Sequence, residues 1–163
     1  MKKLVLLPFA AACLGVPALA HDDHEMGGDF SGTYAGSYTC VDGEHGFYLD
    51  LMVTDESDDG WEVDGTLGFF PTLAGMEGRA GMVAGSFDVS GTVTKADDDG
   101  DMVIELQPGD WLVKPDSYGA AALAGVVTTS DTGAWQIIGK PVVPGVPDAC
   151  DALIATQFLP LAE

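Results

Sequence analysis

The stretch Gly32-Thr33-Tyr34-Ala35-Gly36-Ser37-Tyr38-Thr39-Cys40 sets the architecture of this chain. A period of two sets Tyr34, Gly36, Tyr38 and Cys40 on one face and Thr33, Ala35, Ser37 and Thr39 on the other, which predicts a first β-strand. Cys40 closes that strand. Apart from Cys13 near the N-terminus, the one other cysteine is Cys150, just ahead of the last strand-like run. A bridge between Cys40 and Cys150 ties the first strand to the last, and in an up-and-down barrel those two strands are neighbours. Bridge and topology therefore predict one another.

Beyond this strand, 46–54 alternates Phe47, Leu49, Leu51 and Val53 against Tyr48, Asp50, Met52 and Thr54, a half-buried strand. The acidic turn 55–60 leads into 61–70, where Trp61, Val63, Leu67 and Phe69 share a face and Pro71 ends the run. Further strands are expected at 86–95 (Phe87, Val89 and Val93 inward), 101–107, 119–129, 134–143 and 152–159. No helical period of useful length competes with these runs. The prediction is all-β: an antiparallel, eight-stranded, up-and-down, calycin-like barrel or flattened sandwich, closed by the disulfide. Glycine recurs between apolar neighbours at Gly65, Gly91 and Gly125. Interior glycine weakens a flat strand, so its recurrence points to tight curvature or to close packing across a narrow lumen, and favours the closed barrel.

Two segments break the rhythm. Residues 72–84 carry Gly75, Gly78, Gly81 and Arg79, the only arginine, and read as a loop. Residues 108–118 are fenced by Pro108 and Pro115, which remove backbone donors and predict a segment that crosses an edge or a mouth of the barrel. This segment holds Trp111, Lys114 and Tyr118, an indole, an ammonium and a phenol expected at one end of the barrel. As a rigid aromatic and cationic loop it would bind a sugar or small anion. As a plug it would pack Trp111 and Tyr118 into the barrel end.

Residues 1–20 have a basic start at Lys2 and Lys3, an apolar run from Leu4 to Leu14 and the small-x-small end Ala18-Leu19-Ala20, the layout of a cleaved bacterial export signal. A lipoprotein signal at Cys13 is the competing reading, weakened by Ala10 where leucine is usual and by the apolar Leu14-Gly15-Val16. Residues 21–30 are expected to be a mobile tail rich in acids and histidine, and 31–163 a single domain. No stretch after the signal is long enough for a membrane-spanning helix. The expected location is the periplasm or the exterior, where a disulfide persists.

Cleavage after Ala20 would remove two of the six basic residues and none of the 26 acidic ones, leaving a formal charge of −22. Such a surface repels phosphate backbones and anionic lipid, which excludes nucleic acid and membrane surfaces as partners and leaves a small molecule or a protein. The acids are spread along the whole chain, a pattern of solubility more than of cation capture.

Candidate chemistry is sparse. With the signal removed, His21 becomes the amino terminus, and its amine and imidazole form a chelating pair suited to copper or zinc, with His24 as a further ligand. The alternative function is therefore a periplasmic metal-binding protein using this tail; no other cofactor is expected. Asp55, Ser57 and Asp59 copy the opening of a calcium loop, but Thr66 stands where a bidentate glutamate is required, so a turn is the reading. His45 lies beside Glu44 and Asp42 as a base with orienting carboxylates would, although neighbours on a turn seldom converge. Both cysteines of the mature chain are assigned to the bridge and no serine nucleophile stands out, so the expectation is a protein without enzymatic activity.

Gly32-x-Tyr34 with Cys40, the later Trp111-x-x-Lys114-Pro115-x-x-Tyr118 and the late Cys150 together resemble a type of secreted bacterial β-domain of uncharacterised activity. The resemblance spans nearly all of the mature chain and implies a fold but no activity. Lys114 departs from the arginine usual before the proline in those relatives, which weakens a bidentate anion-binding role. Gly32-Thr33-Tyr34 is also distantly similar to the Gly-x-Trp opening of lipocalin and avidin barrels, with tyrosine in place of tryptophan.

Overall fold

The computed structural model describes residues 30–73, 83–95, 102–116, 118–146 and 148–160. The signal segment, His21, His24 and Arg79 lie outside the described residues.

The strands are β1 (Gly32–Cys40), β2 (Gly43–Ser57), β3 (Gly60–Pro71), β4 (Gly85–Lys95), β5 (Met102–Val113), β6 (Ala122–Thr129), β7 (Trp135–Val142) and β8 (Leu153–Pro160). Each pairs antiparallel with the next, and β1 also pairs with β8, so the sheet closes into an eight-stranded barrel. Between barrel and sandwich, the closed ladder decides for the barrel. The alternation read in β1 to β4 holds: Tyr34, Phe47, Leu49, Leu51, Trp61, Val63, Leu67, Phe69, Phe87, Val89 and Val93 all point inward and are buried.

The disulfide forms between Cys40 and Cys150, with their Cα atoms 3.9 Å apart. Backbone hydrogen bonds flank it, Val41 N–H to the Ala149 carbonyl at 2.9 Å and Asp151 N–H to the Thr39 carbonyl at 2.7 Å. The cysteines thus form an isolated antiparallel pair beyond Ser37↔Ile154, the last regular pair of the β1–β8 ladder.

Three expectations need correction. Pro108 does not stop β5, which runs on to Val113. The β5–β6 pairs end at Leu106↔Leu123, and the β4–β5 register shifts on either side of Phe87, so Pro108 sits where the ladder is already irregular and partnered on one side. Phe30 is not the end of a mobile tail: it is fully buried, and its carbonyl accepts the Tyr34 hydroxyl. Nor do the strand glycines answer to packing across a lumen. A Cβ at Gly65, Gly91 or Gly125 would overlap the carbonyl oxygen of Asp50, Glu105 or Ile138 on the adjacent strand, so the close approach is between neighbours in one sheet.

The two ends of the barrel differ. Where β3 and β7 begin, Phe30 packs edge-on against Trp61 (5.4 Å between ring centroids) and Trp135 (6.3 Å) and closes the barrel with apolar rings. At the other end lie the bridge, the tight turn Val41-Asp42 and the ends of β3, β5 and β7, with the described residues 72–73, 83–84, 114–116, 118–121, 143–146 and 148–152.

Candidate functional site

The site grows out of the β1–β2 hairpin. Gly43, at φ 131°, turns the chain back with two residues between it and Cys40, a backbone geometry that favours glycine. β2 therefore starts early enough to place His45 opposite Tyr38 in the ladder. Two residues ahead of Phe47, His45 faces inward like Phe47, Leu49 and Leu51, and only 2% of it is exposed.

Asp42, in the turn, reaches over this histidine. Its Oδ1 lies 3.0 Å from His45 Nε2, and its Oδ2 accepts the Tyr118 hydroxyl at 3.0 Å. A carboxylate only accepts, so Nε2 carries the proton, and in the neutral ring Nδ1 is left as an acceptor. Nδ1 is buried, and among the described residues it has no hydrogen-bond partner. Asp42 and His45 thus converge, against expectation, because His45 belongs to the strand and only Asp42 to the turn.

Aromatic rings frame the pair. Tyr38 stacks on His45 at 5.3 Å and 16°, and Tyr118 stacks on Phe69 at 5.5 Å and 18°. The two stacks stand nearly perpendicular, His45 to Tyr118 at 77° and His45 to Phe69 at 78°. Burial opposes ionisation of Asp42, but the hydrogen bonds from His45 and Tyr118, with the His45 charge, outweigh it and hold the carboxyl below its ordinary value. Burial first, then the charges of Asp42 and Tyr118, push the Tyr38 phenol well above the usual range. Tyr118 is raised by burial and by its bond to Asp42.

This corner forms one wall of a cavity of about 380 Å³, within the span of small-molecule sites. Phe47, Leu67, Phe87 and Leu123 form its interior, and Val41, Val143, Val146 and Ala149 its loop side. The walls are apolar except at the Asp42–His45–Tyr118 corner.

Of the residues singled out in the sequence, Tyr118 lines the cavity and Cys40 and Cys150 form its edge. Trp111 stands behind the wall, half-buried, with its ring 5.1 Å from Phe87 and 6.4 Å from Phe69. Lys114 is exposed and apart from the corner. The three do not form one site. Cys40, Asp42 and His45 place donor atoms within 4.8 Å of one another, a spacing a metal could use. Cys40 Sγ is committed to the disulfide, however, and supplies no thiolate while the bridge stands.

Fold and site together define a closed antiparallel barrel with one sealed end and one pocketed end. No family model and no curated protein matches the chain. Among solved structures, a redesigned β barrel is similar to it at 17% identity and a TM-score of 0.45, over 82% of this chain and 96% of that one. The architecture rests on the strand pairing described above. No helix among the described residues is long and apolar enough to cross a membrane.

Proposed function

We propose that this chain is an exported, non-enzymatic binding barrel that takes a small, largely apolar molecule into the cavity beside the Cys40–Cys150 bridge. The observation that carries this reading is a cavity of about 380 Å³ with largely apolar walls and a polar corner where Asp42 holds His45 and Tyr118. The apolar walls supply affinity and the corner supplies orientation. The disulfide supports an oxidising compartment, as the export signal does.

The test is a fluorescence titration with a neutral aryl-naphthylamine probe. Binding at one site is expected, and it should be abolished in Ala121→Trp, whose indole fills the cavity from the loop side while the melting curve stays near that of the parent. No saturable binding to the parent, or binding that Ala121→Trp leaves intact, contradicts the reading.

A further inference from the structure

We propose that the occupant of this cavity is an organic cation, an apolar body ending in a protonated amine, with its charge held at the corner of Asp42, Tyr38, His45, Phe69 and Tyr118. The inference rests on the pocket reading above and adds the chemical class of the ligand.

Four observations converge on positive charge. The corner is built from two ring stacks set at right angles, Tyr38 on His45 and Phe69 on Tyr118. Aromatic faces carry the negative lobes of the ring quadrupole, and a cation within about 6 Å of several rings is drawn to them. At the junction of the stacks lies Asp42, bonded once at each oxygen, by His45 and by Tyr118. Each carboxylate oxygen keeps a further lone pair able to accept an ammonium N–H.

No lysine or arginine is among the described residues lining the cavity, so none of the described side chains there offers an anionic ligand a fixed countercharge beside Asp42.

The field of the whole chain acts in the same direction. A formal charge of −20 draws small cations toward the surface and repels anions. That long-range attraction fades with salt, whereas direct contact with Asp42, whose side chain is 40% exposed, is shorter than the screening length and fades less. The difference gives the proposal a discriminating test.

Isothermal titration with naphthylmethylamine, naphthylmethanol and naphthoate compares one apolar body carrying a cation, a neutral hydroxyl and an anion. The amine is expected to bind about tenfold more tightly than the alcohol, from ring contacts and the carboxylate together, with naphthoate weakest. The advantage of the amine should survive high salt, and Asp42→Asn should reduce it severalfold, costing the amine more than the alcohol. Tyr38→Leu, which keeps Asp42 and removes one ring face, should also cost the amine more than the alcohol and serves if Asp42→Asn folds poorly. Equal affinities for amine and alcohol overturn the cation assignment and leave the pocket standing. An amine advantage that persists in Asp42→Asn and disappears in salt overturns it too, since the diffuse field then accounts for the preference. If none of the three compounds binds, the pocket reading itself falls.

Discussion

The two ends of this barrel are made from the same strands and solve opposite problems. At one end Phe30, Trp61 and Trp135 meet edge to face and fill the lumen with apolar rings. At the other, Tyr38, His45, Phe69 and Tyr118 also meet as rings, but each of the two stacks carries a group bonded to Asp42, and a cavity remains beside them. Aromatic content alone does not separate a plug from a site. What separates them is whether polar atoms converge, and whether long connections leave room above the strands.

The sealed end is where this contrast can be challenged most forcefully. Trp61→Ala removes a buried indole from the Phe30 contact and should cost about 3–5 kcal/mol in denaturant unfolding, as large-to-small core changes do. Below its lowered melting point the variant should still bind the neutral probe, because the cavity lies at the far end. A loss of binding in protein that remains folded would mean that the ends are not independent.

Loss of the bridge ranks next in expected effect. Its cysteines are 110 residues apart, for which the chain-entropy account gives an upper figure of about 4–5 kcal/mol, usually not fully realised. The paired change Cys40→Ser with Cys150→Ser should therefore cost about 2–4 kcal/mol. It should also weaken binding of the probe, since Val41, Val146 and Ala149, which border the cavity, hang on the hydrogen bonds beside the bridge. Unchanged affinity in the double variant would detach the bridge from the site.

Trp111 bears on the pocketed end from behind the wall. It is half-buried against Phe69 and Phe87, so Trp111→Ala should cost about 2 kcal/mol, less than a fully buried indole. A melting curve identical to that of the parent would show that the wall does not lean on it.

Much of this was legible from alternation. β1 to β4 read correctly because their inward residues are large and apolar and their turns are acidic and glycine-bearing, and the bridge followed from two cysteines placed at first and last strands. β5 misled because proline forbids an interior ladder position, whereas here the strand has left β6 after Leu106, and Pro108 pairs on one side only, just ahead of the register shift against β4. The corner was missed for a simple reason. Starting β2 at Gly46 leaves His45 in the turn; carrying the alternation of Phe47, Leu49 and Leu51 two residues further back turns the histidine inward. Its bond to Asp42 depends on a two-residue turn; its stacking partner Tyr38 is local to the hairpin, but the edge-on rings of Phe69 and Tyr118 come from β3 and from the segment before β6. Tyr118 could be singled out in advance, but its link to Asp42 spans 76 residues and no local pattern encodes it.

The smallest effect concerns acid. The carboxyl of Asp42 titrates below its ordinary value of 3.8 in the folded chain, so the unfolded chain binds its proton first as pH falls. The stability it contributes is complete above that ordinary value and is lost as pH drops through the folded one. In the parent, the urea midpoint should fall between neutral pH and about pH 3 by slightly more than in Asp42→Asn, since a neutral side chain has no such loss. Equal falls would mean that His45 and Tyr118 do not hold the carboxylate as the geometry implies.

Whether one end is sealed while the other binds can be read residue by residue from an amide chemical-shift map recorded while the neutral naphthylamine probe is added. Saturable shifts are expected at Tyr38, His45, Phe69 and Tyr118, with Phe30, Trp61 and Trp135 unmoved. Shifts centred on Phe30, Trp61 and Trp135, or none at either end at saturating probe, would contradict it.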